Sequence, residues 1–159
     1  MAQQELKTLV ANGLQALKAG GQVAQKATAD IANDVSHPEL KAALHTGNQV
    51  SEQWTQRIQQ AIQEAGPAQD DGNPVMEAHF EVSKRIRAKM PDATTRDLGI
   101  IAAGQLALHY WIAAFGTLAN YAKAAGLTQT QHSMKQCADE AKQADEQHTQ
   151  LAEKILQAA

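Results

Sequence analysis

Three side chains in the second half of the chain could bind a metal ion together. His109 lies in an apolar run, and Asp145 and His148 follow in the last helical segment with an i, i+3 spacing, which places both on one helix face. The apolar positions around them predict that all three point toward the interior, and Glu52 could complete the set. They suit a mononuclear or altered metal site, but a buried histidine hydrogen-bonded to aspartate or tyrosine explains the same residues.

No nucleophile in the chain carries a catalytic motif. The sequence has no Gly-x-Ser-x-Gly, no phosphate loop and no dinucleotide fingerprint. The single cysteine, Cys137, lies on an alanine-rich helical face, which favours a small core residue over a reactive thiol. We therefore predict no catalytic residues and no cofactor-binding motif, and an ordinary hydrolase or transferase is not expected.

The charge and hydropathy patterns argue against nucleic acid and membranes as partners of the protein. The net charge of −3 comes from interspersed acids and bases, so there is no basic stripe of the kind that neutralises phosphates in nucleic-acid binding. No basic segment precedes an apolar run at the N-terminus, and no apolar run reaches the length of about 18 residues that a membrane span needs. We expect neither nucleic acid nor membrane as a partner, and a cytoplasmic location.

Apolar residues recur every three or four positions, which is typical of helices with one buried face. The breaks in this pattern divide the chain into four long helices and one short amphipathic one, over most of residues 1–33, from Pro38 to Gly66, over 75–89, from Asp92 or Thr94 to Gly126, and from Thr128 onward. The expected helix caps are a serine or aspartate near Ser36, then Asp92 or Thr94, and Thr128. The basic end of the short helix suits the C-terminal helix dipole, which favours solvated charges over a phosphate site. Short links predict antiparallel pairing of the first two and of the last two long helices. The sequence therefore predicts an all-α protein with residues 1–159 in a single domain.

The helix from Ile100 to Gly126 carries a family resemblance. Its sequence, IIAAGQLALHYWIAAFGTLANYAKAAG, resembles that of the YciF-like stress proteins of bacteria, which belong to the ferritin-like superfamily. Arg96-Asp97 and Asp139-Glu140 support the resemblance, which covers nearly the whole chain. It implies a ferritin-like antiparallel four-helix bundle with an extra short helix between helices 2 and 3, assembled as a homodimer, and a carboxylate-bridged two-metal site in the core.

Most ligand positions that this resemblance implies carry other residues here. The substituted positions are Gly21 in the first helix, Gln49-Val50-Ser51-Glu52 in place of Glu-x-x-His in the second, and Leu108 and Trp111 in place of glutamates in the third long helix. The acids at or near ligand positions are Glu52, Glu140 and Asp145. If a metal is bound, we expect the reduced set Glu52, His109, Glu140, Asp145 and His148.

Two hypotheses follow. The preferred one is a non-catalytic, metal-free ferritin-like structural or stress-associated protein, a homodimer whose core is filled by Leu108 and Trp111. The alternative is an iron- or manganese-binding protein with an altered ligand set that handles redox chemistry or peroxide. The pair Gly20-Gly21 either lets another helix or a large ring approach the first helix closely or marks a simple kink.

Overall fold

The computed structural model describes residues 2–159, which form five α-helices and their connections. The helices are α1 (Ala2–Ala32), α2 (Pro38–Ala65), α3 (Pro74–Lys89), α4 (Ala93–Ala124) and α5 (Thr128–Ala158). Four of them have 28 to 32 residues, and α3 has 16. The prediction of an all-α bundle with a short helix between the second and third long helices is confirmed.

The four long helices form a ring around a common interior. Helix α1 packs against α2 and α4, and α5 packs against the same two neighbours. Short connections join α1 to α2 and α4 to α5, so each of these pairs is an antiparallel hairpin. Helix α3 lies against α1 and α4, so it covers one side of the ring.

The buried apolar residues fall into two clusters. The larger cluster centres on Trp54, Trp111 and Phe115 and reaches the α4–α5 connection. The smaller one, with Leu40 and Ile101, lies at the opposite end of the bundle beside the α1–α2 connection. Between the clusters the helices present small residues, so the core is divided along the bundle axis.

The start of α2 is held by a residue from another helix. A local serine or aspartate was the expected cap, but the N-cap residue is His37, whose side chain makes no capping hydrogen bond. Instead the backbone N–H groups of Ser36 and His37 donate to the two carboxylate oxygens of Asp97, at 3.0 and 2.8 Å. Asp97 is buried in the second turn of α4, so it joins two hairpins of the bundle.

The start of α5 shows the same arrangement. Thr128 was predicted to cap it, and this is wrong, because Leu127 is the N-cap residue and offers no side-chain cap. Glu64 of α2 supplies the acceptor and receives hydrogen bonds from the backbone N–H and the hydroxyl of Thr130, both at 2.6 Å. Burial alone would raise the pKa of the Glu64 carboxyl, but these hydrogen bonds outweigh it and the pKa is lowered.

The basic end of α3 is also tied to another helix. Its four cations were expected to be solvated charges at the helix C-terminus, which fits the exposed Lys84, Arg85 and Lys89. Arg87 differs, because its side chain is buried and binds two aspartates, Asp30 near the end of α1 at 2.6 Å and Asp34 in the α1–α2 connection at 2.5 Å. This ion-pair cluster fixes α3 to the end of α1.

The pair Gly20-Gly21 lies inside α1, which continues through it. A Cβ atom on Gly20 would lie 3.1 Å from the Trp111 ring and 2.5 Å from Asn73 Nδ2. Asn73 cannot retract freely, because it donates to the carbonyl of Ala16 and to the hydroxyl of Tyr110. Gly20 therefore serves the close approach of a large ring, as one of the two interpretations predicted.

This geometry predicts opposite effects at the two glycines. Gly20→Ala should destabilise the protein by about 1 to 2 kcal/mol, because overpacking exceeds the gain in helix propensity. Gly21→Ala should stabilise it by about 0.5 to 1 kcal/mol, since the new methyl group would meet only Thr55 Oγ1 at 3.8 Å. Urea denaturation of both variants measures the difference, and equal shifts would show that the Trp111 contact does not constrain Gly20.

Helix α4 is unusually apolar for a bundle helix that has one face exposed to solvent. Among residues 2–159, it is the one helix long and apolar enough to cross a membrane by length and composition, with mean hydropathy 1.5 over 18 residues. In the fold it packs against α1, α3 and α5. Only 28% of the apolar stretch is buried inside the chain, and Leu106 and Tyr121 of α4 are exposed.

Candidate functional site

The five candidate metal ligands do not meet at one point in the bundle. Glu52 is exposed on α2. His109 was predicted to face the interior, and this is wrong, because its side chain is 67% exposed. Successive residues of a helix are rotated by about 100°, so once Leu108 and Trp111 face inward on α4, His109 points outward.

Asp145 and His109 form a pair at the surface. His109 Nε2 lies 3.1 Å from Asp145 Oδ2, and the amide of Gln105 donates to Asp145 Oδ1 at 3.3 Å. These contacts connect α4 to α5 on the outside of the bundle. One carboxylate and one histidine at the surface are too few to hold a structural or catalytic metal ion.

Glu140 is occupied by protein partners. Its carboxylate accepts hydrogen bonds from the indole N–H of Trp54 and from Arg57, each at 2.7 Å. Burial alone would raise the pKa of the Glu140 carboxyl, but the bonds from Arg57 and Trp54 outweigh it and the pKa is lowered. A cation at this carboxylate would have to compete with the guanidinium group already bound there.

His148 lies half-buried on the inner side of α5. Its Nδ1 atom is 2.7 Å from the carbonyl oxygen of Ala144, and a carbonyl can only accept, so Nδ1 carries the proton. In the neutral ring this leaves Nε2 as an acceptor. The Nε2 edge of the ring faces the backbone of α4 at Gly104, 3.6 Å from the place of a Cβ atom there.

The donor geometry does not fit the two-metal site that the family resemblance implies. Such a site needs several carboxylates from different helices pointing to one centre. Among residues 2–159, no three or more histidine, cysteine, aspartate or glutamate side chains are grouped where they could hold a metal ion. The ring of Trp111 lies in the interior at one of the implied ligand positions.

An aromatic cluster fills the interior at this level. The Trp111 ring stacks on Phe115 with centroids 5.4 Å apart, and Trp54 lies 5.1 Å from Phe115 and 6.0 Å from Trp111. The prediction that Trp111 fills the core is confirmed. Cys137 is fully buried nearby, and burial raises the pKa of its thiol to about 11, as expected for a core residue rather than a reactive thiol.

A cavity of about 520 Å³ lies beside the aromatic cluster. It occupies the space between the two core clusters, and Trp54 and Trp111 form one wall. No sequence pattern indicates this cavity, because it results from small residues on four different helices that lie at the same height along the bundle only in the fold. Its polar members include Ser83, His79 and His148.

Two residues of this region escaped the sequence analysis. Arg57 was not singled out because it lies among the polar residues of α2. It is three residues from Trp54, so both side chains lie on the same helix face and reach Glu140. Ser83 was read as part of a short amphipathic helix. Its burial could have been expected from its spacing of three and four from Phe80 and Arg87, but nothing in the sequence shows that Arg87 is buried.

Comparisons of the sequence and of the structure with known proteins lead to the same protein family. The family described as a domain of unknown function (DUF892) matches residues 5–159. Protein YciF of Escherichia coli strain K12 is 28% identical over 129 residues, which cover 80% of this chain and 78% of that protein.

Two solved structures share the fold. The crystal structure of the E. coli stress protein YciF matches with a TM-score of 0.90 at 24% identity, covering 97% of this chain and 98% of that one. YcfI from Rhodopseudomonas palustris matches with a TM-score of 0.86 at 21% identity, over 91% and 92% of the two chains. The resemblance to YciF-like proteins is thus confirmed, and the chain belongs to the DUF892 family.

Proposed function

We propose that this protein is a non-catalytic, metal-free, ferritin-like structural protein of a bacterial stress response, which acts as a cytoplasmic homodimer. The observation that carries the proposal is the occupation of the implied metal site by protein groups. Trp111 fills the interior, and Glu140 is bound by Trp54 and Arg57. The relatives support the role in part, since YciF is named a stress protein and YcfI a proposed structural protein.

The dimer is supported by an uncovered apolar surface, which we call the α1–α4 face. It consists of Leu9, Gly13, Ala16, Ala113, Thr117 and Tyr121, which line a shallow groove between the two helices. Leu9 and Tyr121 are 52% and 41% exposed. No charged residue is among the described residues that line the groove, and its small side chains would let a helix of a second copy approach closely.

Native mass spectrometry tests both parts of the proposal at once. The protein should be purified without chelator or affinity-tag metal after growth with added iron and manganese. The expected species has the mass of two chains with less than about a tenth of a metal equivalent. One or two bound metal ions, lost on Asp145→Ala and His148→Ala, would instead make this a metalloprotein with an altered ligand set.

A matched pair of variants tests where the copies meet. Leu9→Lys places a charge on the α1–α4 face and should convert the dimer to monomer. Leu156→Lys is the control, because Leu156 is 61% exposed on α5, outside this face. A monomeric wild type, or a dimer that survives Leu9→Lys, would contradict the proposed interface.

A further inference from the structure

The cavity between the two core clusters is large and apolar. Small residues from all four long helices leave it open, among them Ala27, Ala43, Ala103, Gly104 and Ala144. Close-packed interiors hold few voids larger than a water molecule, whereas small-molecule sites usually have about 300 to 1,000 Å³ of space. The size of this cavity, about 520 Å³, is that of a ligand site.

The cavity has an open side and a closed side. Its exposed lining residues are Thr46 and Gly47 on α2 and Gln143 and Gln147 on α5. The opening therefore lies between these two helices, and a molecule entering there would pass only small or neutral polar side chains. Helix α3 contributes to the opposite, closed side, where Ser83 is 4% exposed.

Ser83 has an unsatisfied hydrogen-bonding group. Its hydroxyl is buried and has no partner among the described residues, although nearly all buried polar groups in proteins are hydrogen-bonded. It does not bond to the backbone of its own helix, which a serine in a helix commonly does. Ser83 lines the cavity, and rotation about its χ1 bond would bring the hydroxyl to a hydroxyl group of a bound molecule. The Nε2 atom of His148 offers a second acceptor in the cavity wall.

The charges around the cavity select against ions. Among the described lining residues there is no lysine or arginine, and the one carboxylate, Glu140, is already paired with Arg57. A bound anion would lie near Glu140 without a lysine or arginine in the wall to compensate it, and a desolvated unpaired charge is costly. The other lining residues are uncharged polar groups, histidines, and aliphatic or aromatic side chains, among them Phe80, Trp54 and Trp111.

We infer that this cavity binds one neutral, largely hydrocarbon molecule with a hydroxyl group, which enters between α2 and α5 and bonds to Ser83. The inference goes beyond the proposed structural role and does not depend on dimerisation or on metal content. It predicts that the protein binds apolar alcohols in preference to the matching carboxylates.

Phenylnaphthylamine, a neutral dye that fluoresces in apolar surroundings, is the probe for the purified full-length protein. We expect saturable binding of one equivalent per chain with a dissociation constant on the order of 10 μM. Octanol should displace the dye at least about tenfold better than octanoate at neutral pH, because only octanoate brings an unpaired charge. Absence of dye binding, or equal displacement by the two competitors, would overturn the inference.

Two glycines on α4 provide a matched pair of variants. Gly104→Leu extends a side chain into the cavity and should weaken dye binding about tenfold or more. Gly116→Leu makes the same exchange outside the cavity, where a Cβ atom meets nothing within 4 Å, and should leave binding within about twofold. If both variants bind like the wild type, the dye lies elsewhere and the inference is wrong.

A further variant tests the hydroxyl itself. Ser83→Ala should weaken displacement by octanol about three- to tenfold, the value of one hydrogen bond, and should leave the fold intact because the hydroxyl has no partner to lose. Should Gly104→Leu fail to fold, Ala43→Leu fills the cavity from α2. Thermal denaturation of the wild type with octanol or octanoate needs no variant, and equal midpoints would count against the inference.

Discussion

Replacing Asp97 by alanine is expected to lower the free energy of unfolding by about 3 kcal/mol, because two hydrogen bonds to a charged acceptor are lost together. Asp97 is 3% exposed, and its carboxylate oxygens accept hydrogen bonds from the backbone N–H groups of Ser36 and His37. Without the carboxylate, these donors at the start of α2 have no side-chain acceptor. Asp97→Asn keeps one acceptor oxygen and should show about half the loss.

Urea denaturation followed by far-ultraviolet circular dichroism measures the change at Asp97. Asp145→Ala is the control, since Asp145 bonds to the exposed His109 and to Gln105 at the bundle surface, and such contacts contribute about 1 kcal/mol or less. Hydrogen exchange adds a local signal, because the amides of Ser36 and His37 should lose protection first. Equal losses in the free energy of unfolding for Asp97→Ala and Asp145→Ala would show that the buried cap stabilises the protein no more than a surface contact does.

The helices themselves were predictable because their signals are local. The spacing of apolar residues gave five helices, and Pro38, Gly66 and Pro74 mark boundaries within a residue or two. Asp92 was one of two caps that the sequence allowed for α4, and it is the one used, since Asp92 accepts from the backbone N–H of Thr95 three residues away. Features that involve only neighbouring residues leave their pattern in the sequence.

The caps that failed depend on residues far away in the chain. Asp97 lies about 60 residues from Ser36, and Glu64 lies 66 residues from Thr130. No local motif marks such a pair, because the acceptor reaches the helix start only after the bundle has formed. The same reason hid the contact of Arg87 with Asp30.

The inward direction of α4 was misjudged for a different reason. This helix is apolar on most of its surface, so the spacing of apolar residues does not distinguish the side facing the core from the side left exposed. Leu106 is apolar but 54% exposed, and His109 lies near it on the outer side. The resemblance that marked Trp111 as a former ligand position was the better guide to the interior.

At the ion pairs that hold α3, removing the two aspartates is expected to cost much more stability than removing Arg87. The double variant Asp30→Asn with Asp34→Asn should lower the free energy of unfolding by about 3 to 5 kcal/mol, because it leaves a buried guanidinium without a counter-charge. The Arg87 side chain is 6% exposed, whereas the two aspartates are 50% and 46% exposed. The charges are therefore not equivalent, since water can solvate the carboxylates but not the guanidinium.

Arg87→Met should consequently be milder, with a loss of about 1 to 2 kcal/mol, because methionine fills similar space and the freed carboxylates are hydrated. It also removes the Nε atom of Arg87, which is buried without a partner. Adding Arg87→Met to the double asparagine variant should then restore stability, since it removes the uncompensated charge. A triple variant less stable than the double one would mean that the packing of Arg87, and not its charge, holds α3 in place.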